Sequence, residues 1–326
     1  MGSINRIAVI VPVFNRRETT LAFLRQVYAV NAAGVEEKIV VIDDGSTDGT
    51  TAAIKECYKS VTVLQGDGNL WWTGAVNMGV RYALESIEGV DAVLIINDDL
   101  KLDQEFLANL LQVANINTNA LVSSVTINQD TGSKEEVLTA GFIRQGRWLN
   151  IRPLHSGEQY TDRWGDVAEG ELLTGASLLI PVAVIKDIGL FDDKGFPHNW
   201  GDFEYTLRAN CRGYKCLVAM KSKVYTEFNP KYPILYFYNS TRFEYFRNLF
   251  DNRKYFYGFS AIRKSSFMHV PMFVGVLVYS RRLAALIKQI IFKLFLPKCV
   301  LQRYIITVLR KKGGPDYVMQ QIMSDF

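Results

Sequence analysis

The stretch Lys38-Ile39-Val40-Val41-Ile42-Asp43-Asp44-Gly45-Ser46-Thr47-Asp48-Gly49-Thr50 decides the fold. Lys38 to Ile42 is a β-branched apolar run that stops at two carboxylates and a glycine. So apolar a run between turn residues predicts a strand buried on both faces. From Thr50 to Tyr58 the spacing turns helical. The same alternation extends outward on both sides. Arg6 to Val13 predicts a strand, and Leu21, Leu24, Val27 and Tyr28 give Glu18 to Val30 a helical face. Ser60 to Leu64 predicts a third strand, Gly74 to Ile87 a helix, and Ala92 to Ile96 a fourth strand. Strands alternating with helices predict a parallel sheet covered on both faces. Ligands in such sheets bind beyond the carboxyl ends of the strands. The polar clusters fall there, after Val13, Ile42, Leu64 and Ile96.

The chain has 326 residues, enough for one large domain or two ordinary ones. With 48% apolar and 21% charged residues it has the material for a core, which excludes disorder as its main state. The four cysteines (Cys57, Cys211, Cys216, Cys299) form no CxxC pair, which argues against structural zinc and a disulfide scaffold. They are expected to be reduced thiols of a cytoplasmic protein, and no apolar signal core follows Met1. From Leu121 to Ile180 short strands alternate with Gly-rich stretches, and Phe203 to Arg212 predicts a helix stopped by Gly213. Past Phe228 the composition changes: residues 225–259 hold 14 aromatics, and basic amphipathic helices are predicted over 262–312. Residues 231–326 carry 16 Lys and Arg against 4 Asp and Glu, net +12, while residues 1–230 are net −8. The boundary is predicted near residue 230, between an acidic body (1–230) and a basic, aromatic-rich helical tail (231–326) that suits an anionic surface.

Asp43-Asp44-Gly45-Ser46-Thr47-Asp48 can serve as a capped turn, as a carboxylate that accepts an N–H from a nucleobase, or as both. Asn97-Asp98-Asp99 follows the most apolar strand, and adjacent carboxylates at a buried strand end call for a compensating cation. Two carboxylates without His or Cys suit Mg2+ or Mn2+ bridging phosphates, although a solvated turn would look the same. The Gly66 to Asn77 loop holds Trp71 and Trp72 and matches neither a dinucleotide fingerprint nor a P-loop. In His198-Asn199-Trp200-Gly201-Asp202-Phe203-Glu204, Asp202 sits where a helix begins. It reads either as a cap or as a general base, with a pKa expected to stay low beside the helix terminus. The three His, at 155, 198 and 269, form no metal-ligand pair.

The order of these clusters resembles family-2 inverting glycosyltransferases with the GT-A fold. The matching residues are Val11-Pro12-Val13-Phe14-Asn15-Arg16, Asp43 to Asp48, Gly68-Asn69 with Gly74, Asn97-Asp98-Asp99, Thr174-Gly175-Ala176, and Gly201-Asp202-Phe203-Glu204 with Leu207-Arg208-Ala209. They run over about residues 6–215. The Trp-Trp loop and Arg247-Asn248 look like bacterial rhamnosyltransferase-type members, which build O-antigen and other cell-wall polysaccharides. The resemblance implies an α/β GT-A, Rossmann-like nucleotide-sugar domain with a mostly helical C-terminal extension. It implies a metal-dependent inverting hexosyltransferase with Mg2+ or Mn2+ as cofactor, best matched to dTDP-L-rhamnose, with UDP-sugars as the alternative donors. Pro12, Phe14, Arg16, Asp43, Asp44, Gly68, Asn69, Trp72, Asn77 and Asp98 would then bind the donor. Trp200 and Glu204 would face the acceptor, Asp99 would hold the metal with Glu227 or with phosphate alone, and Asp202 would be the base. Two departures are visible. Asn97 stands where the family has an Asp, and Glu227 stands near the usual place of a further metal-binding His.

Two other classes fit less well. A sugar-nucleotide pyrophosphorylase would carry a Gly-rich, Arg-containing loop after the first strand, where Pro12 to Arg16 stands. A single-stranded nucleic-acid binder would suit the tail but leaves three acidic clusters unexplained. Within the tail, the apolar run from Phe267 to Tyr279 is too short to span a membrane and contains His269 and Pro271, with Ser280-Arg281-Arg282 interrupting it. Leu283, Leu286, Ile287, Ile290, Ile291 and Leu294 form an apolar stripe on a helix over Leu283 to Leu296. That stripe is expected at the inner face of the cytoplasmic membrane, beside a lipid-linked acceptor, or buried against the catalytic body or a second subunit.

Overall fold

The computed structural model describes residues 3–30, 34–129, 135–146, 150–226, 237–250 and 258–311, with side chains to residue 307. The chain divides into two compact units, Met1–Phe228 and Asn229–Phe326.

The first unit opens with β1 (Arg6–Val13), α1 (Arg17–Ala29), β2 (Glu36–Asp43), α2 (Thr50–Cys57), β3 (Thr62–Gln65), α3 (Trp71–Ser86) and β4 (Ala92–Ile96). It continues with β5 (Lys101–Leu102), α4 (Phe106–Ile116), β6 (Ala120–Asn128), β7 (Val137–Thr139), β8 (Phe142–Gln145), β9 (Asn150–Pro153) and β10 (Val167–Gly170). It closes with β11 (Ser177–Pro181), α5 (Val182–Ile188), α6 (Gly201–Cys211) and β12 (Lys215–Thr226). Strands run in the order β10-β12-β6-β11-β4-β1-β2-β3. From β4 to β3 the pairs are parallel, as the alternation predicts. β11 differs. It lies antiparallel between β4 and β6, so the sheet is mixed rather than parallel throughout.

Alternate residues of one strand feed opposite cores. Ile7, Val9, Val11 and Val13 join one apolar cluster, while Ala8 and Ile10 join the other. β4 is divided likewise, with Leu94 and Ile96 on one side and Val93 and Ile95 on the other. That is why these runs read as unbroken apolar stretches. Helix α3 lies close on the sheet because Gly79 has no side chain; a Cβ there would stand 2.6 Å from Ile10 Cγ2. The helix begins at Trp71 rather than Gly74, which moves both tryptophans from the predicted loop into its first turn.

The second unit is helical where described: α7 (Arg242–Leu249), α8 (Phe259–Ser266), α9 (Met272–Phe295) and α10 (Lys298–Lys311). Thr241 and Glu244 form a reciprocal capping box at the start of α7. Phe237, Tyr245, Leu249, Ile262, Leu286, Leu301 and Ile305 make its core. Helix α9 passes through Ser280-Arg281-Arg282 without a break and runs for 24 residues. The predicted helix from Leu283 is thus the second half of a longer one. Among the described residues no helix is long and apolar enough to cross a membrane.

Candidate active site

The loops after β1 and β2 hold each other in place. Asn15, in the left-handed region at φ 50°, donates its N–H to Ser46 Oγ at 2.7 Å. Its side-chain oxygen accepts the Thr47 N–H at 2.8 Å. Asp48 accepts the Arg17 N–H at 3.0 Å, joining the start of α1 to the second loop. The Thr50 hydroxyl, with help from backbone N–H groups, holds the Asp48 carboxyl below the usual range. Asp48 is therefore a cap of this turn.

Asp43 and Asp44 are buried and are used by the loops. Asp43 accepts the Ser46 N–H at 2.8 Å and the Thr51 hydroxyl. Asp44 gathers three backbone donors: Gly68 N at 2.9 Å, Leu70 N at 3.2 Å and Trp71 N at 2.9 Å. It thereby fixes the Gly68-Asn69 turn and the start of α3. Asn69 and Phe14 are exposed, Phe14 by 52%, at the ends of β3 and β1. Pro12 is half-buried in β1, in register with Ile42.

Beyond β4 the carboxylates find a cation of the protein's own. Arg16 Nη1 lies 3.0 Å from Asp98 Oδ1 and 3.0 Å from Asp99 Oδ2. Thr20, on α1, donates its hydroxyl to the other Asp98 oxygen at 2.7 Å. Burial pushes the Asp98 carboxyl above its usual range, against the opposing effects of Thr20 and Arg16. Burial also disfavours the Arg16 cation, but the carboxylates of Asp99 and Asp98 outweigh it. Arg16 thus touches the acidic pair.

Asn97 is engaged as well. Its side-chain oxygen accepts the Trp72 indole N–H at 2.9 Å. Trp72 packs over Gly175, where a Cβ would fall 2.5 Å from ring atom Cζ2 and 3.2 Å from Asp202 Cβ. The Gly175 N–H donates to Asp202 Oδ2 at 2.9 Å. Thus Asp202, Gly175, Trp72 and Asn97 form one contiguous line that ends beside Asp98, Asp99 and Arg16.

Asp202 lies in the first turn of α6, and its other oxygen accepts the Phe203 N–H at 2.9 Å. Burial raises its pKa, only partly offset by the Gly175 and Phe203 N–H groups. The expected low pKa is corrected: lost hydration outweighs the helix terminus. The cap position belongs to Trp200, at φ 72°, and Trp71 at the head of α3 has φ 57°. Left-handed backbone in a bulky residue is strained by about 1–3 kcal/mol and gathers at functional sites. Trp71 and Trp200 flank the line to Asp202. His198 stands edge-on to Trp71, with centroids 5.6 Å apart.

Two of the predicted contact residues spend their polar atoms on neighbouring protein groups. Asn77 is buried, and its amide is committed to a different loop: Nδ2 donates to Phe191 O at 2.9 Å and Asp193 Oδ2 at 3.0 Å, and Oδ1 accepts the Phe191 N–H at 3.0 Å. Glu204 is buried with its carboxylate forked onto Arg208, at 3.0 and 3.1 Å. Arg208 continues to the Ile188 and Leu190 carbonyls, so the pair fastens α6 to the end of α5. Glu227 lies outside the described residues. Tyr225, two residues before it, donates its hydroxyl to Glu135 at 2.7 Å. Sequence reasoning missed Thr20, Gly175 as a seat for Trp72, and the Arg16 bridge. An Arg in one strand-end loop and an acidic pair in another were the available signal for the bridge.

A strand-end site with two carboxylates, a carboxylate at a helix start and tryptophans between them, on a mixed sheet, defines the GT-A class of α/β domain. The family model described as "Glycosyl transferase family 2" matches residues 8–167, so the first unit carries a domain of that family. A curated relative, the low-salt glycan biosynthesis hexosyltransferase Agl10 of Haloferax volcanii, is 24% identical over 178 residues, 54% of this chain and 54% of its own. The chain thus spans about half the length of the curated relative it matches. Among solved structures, the mannosyltransferase PcManGT of Pyrobaculum calidifontis, in complex with GDP-Man and Mn2+, aligns with TM-score 0.54 and 17% identity over 97% of this chain and 84% of that one. S. aureus TarS in complex with UDP aligns with TM-score 0.51 and 15% identity over 85% and 70%. At these identities the structures show the shared fold.

Proposed function

We propose that the chain is an inverting glycosyltransferase that moves a hexose from a nucleoside diphosphate to a hydroxyl of a lipid-linked or growing cell-surface glycan. The observation that carries this reading is the contiguous line from Asp202 through Gly175 and Trp72 to Asn97-Asp98-Asp99. It provides one carboxylate of raised pKa on one side and, on the other, an acidic pair steadied by Arg16 whose oxygens suit a divalent cation. A single base facing a single leaving group is what one in-line displacement requires. Asp202 takes the acceptor proton. The oxygen then attacks the anomeric carbon as the bond to the diphosphate breaks, inverting that carbon. Trp72, held by Asn97 and Gly175, shields the reacting centre from water on one side.

Asp98 and Asp99 fit a divalent cation by donor chemistry, as hard oxygen ligands of which Asp99 is half-exposed. Among the described residues no third His, Cys, Asp or Glu joins them, so phosphate oxygens and water would complete the shell. Asp99 would hold Mg2+ or Mn2+, which would supply neutralisation of the leaving diphosphate. Phe14 and Pro12 at the end of β1 offer an apolar bed for a base. Asp43 accepts only two hydrogen bonds among those described above, so it keeps acceptor capacity for a base N–H.

dTDP-L-rhamnose is the donor favoured by the Trp71-Trp72 and Arg247-Asn248 signature, with UDP-sugars the alternative. The GDP-Man and UDP complexes of the structural relatives support nucleotide sugars as a class. The proposed place of work is the inner face of the cytoplasmic membrane, where a lipid-linked acceptor presents its sugar. A thermal-shift screen of dTDP, UDP and GDP, each with and without Mn2+, tests the reading. Stabilisation by one nucleotide, enhanced by Mn2+ and abolished in Asp99→Ala, is the expected result. Equal responses to all three, unaffected by EDTA or by Asp99→Ala, would remove the donor and metal assignments together.

A further inference from the structure

Helix α9 has two apolar stripes, and the second unit buries only one of them. Gly275, Val278, Leu286 and Lys293 face its interior. At Gly275 the approach is close, since a Cβ would stand 2.8 Å from Phe267 Cε1. At about 100° per residue, positions 273, 277, 284, 287, 291 and 295 fall on the opposite line. Those positions are Phe273, Leu277, Ala284, Ile287, Ile291 and Phe295, all exposed to solvent. Phe273 is 69% exposed, Leu277 54% and Phe295 75%. A single helix thus presents a row of large apolar side chains about 33 Å long, at 1.5 Å per residue. A soluble helix ordinarily keeps this face polar.

The stripe is rimmed by cations. Arg281 and Lys288 are exposed and, at seven residues' separation, lie along one side of it. Arg263 on α8 and Arg303 on α10 are exposed as well. The region from residue 231 is net +12, so pairing this face with that of a second copy would bring like charges together. An anionic partner is complementary instead. The helix is too charged to cross a bilayer, with Arg281, Arg282, Lys288 and Lys293 along it. An apolar row with basic flanks and no capacity to span is the pattern of a helix lying in the plane of the headgroups.

We infer that the outer face of α9 is a docking surface for an anionic phospholipid bilayer, with Phe273, Leu277, Ile287, Ile291 and Phe295 entering the acyl boundary and Arg281 and Lys288 meeting phosphate headgroups. This rests on the second unit alone, and it can stand or fall without the glycosyl-transfer reading. It also replaces the face read from sequence: of that predicted stripe Leu286 is buried, Leu283, Ile290 and Leu294 are half-buried, and only Ile287 and Ile291 belong to the outer row.

The experiment is flotation of the full chain with vesicles of phosphatidylglycerol and phosphatidylcholine, or of phosphatidylcholine alone, without nucleotide. Sedimentation velocity is run on the same preparations. Wild type is expected to float with the anionic vesicles only, to be released by salt, and to sediment as a monomer. Phe273→Glu with Leu277→Glu should abolish flotation at unchanged helical content, because both side chains already face water. Lys288→Glu should weaken it by at least about fivefold, the worth of one basic residue near an anionic surface. The inference is overturned if wild type does not float at low salt, or if the double variant floats like wild type. It is equally overturned if wild type is a dimer that the double variant dissociates, since the stripe would then be a self-interface.

Discussion

The two units break the rule of apolar inside and polar outside in opposite directions. The first takes carboxylates out of water: Asp43, Asp44 and Asp98 are buried, and burial raises the pKa of Asp98 and Asp202. The second leaves in water what it could have buried, with Phe273, Leu277 and Phe295 more than half exposed on one helix. Each departure costs stability unless something compensates it. In the first unit the compensation is internal, from backbone donors, Thr20 and Arg16. On the outer face of α9 no such compensation is found among the described residues, which is the ground for the docking surface proposed above.

The sharpest way to break this contrast is at Asp202. Asp202→Asn should leave nucleotide binding in place and lower turnover by about 10²–10⁴. In wild type the turnover should fall as pH drops through the raised pKa of this carboxyl, because protonation removes the base. Normal turnover in the variant would reduce Asp202 to a tie between α6 and Gly175.

Gly175→Ala tests the packing that joins the two halves of the site. The new methyl group meets the Trp72 ring, so it should cost about 1–3 kcal/mol in denaturant unfolding. It should also alter Trp fluorescence as the indole leaves Asn97. A neutral substitution would mean that Trp72 has room to move and does not define the pocket.

Lys293 sharpens the comparison from the other side, as the cation that the second unit does bury. Its ammonium donates to the Phe237 and Tyr238 carbonyls. Burial, with Lys298 and Arg242 nearby, lowers its pKa to about 8. An unfolded lysine titrates at about 10.4, so between these values the unfolded chain binds the extra proton and stability must rise with pH. Thermal unfolding of the second unit followed from pH 8 upward should show that rise, and Lys293→Met should flatten it. An unchanged slope in the variant would assign the effect elsewhere.

The smallest effect is expected at the outer stripe. Phe273→Glu without lipid should change stability by no more than about 0.5 kcal/mol, the ordinary range for a surface position. A larger loss in a urea titration would show that the side chain is packed in solution, and the contrast between the units would weaken accordingly.

Local runs were legible from the chain alone. The strand Ala92 to Ile96 is found where it was read, and α2 begins at Thr50, because burial on both faces writes an unbroken β-branched run and helical spacing follows it. The clusters after β1, β2 and β4 were legible for the same reason, since a parallel sheet collects polar residues at one edge. The change of character near residue 230 was written in charge and aromatic content. Tertiary structure decided which members of each cluster face one another. Arg16 lies across Asp98 and Asp99, and Trp72 reaches Asn97, through contacts between positions far apart in sequence. Asn77 and Glu204 stand in the right motifs but spend their polar atoms on Phe191, Asp193 and Arg208. The antiparallel placement of β11 and the outward row of α9 belong here too. A strand's partner and a helix's buried face are chosen by the packing of distant surfaces, whereas a residue's own neighbours in sequence fix only its local conformation and its chemical type.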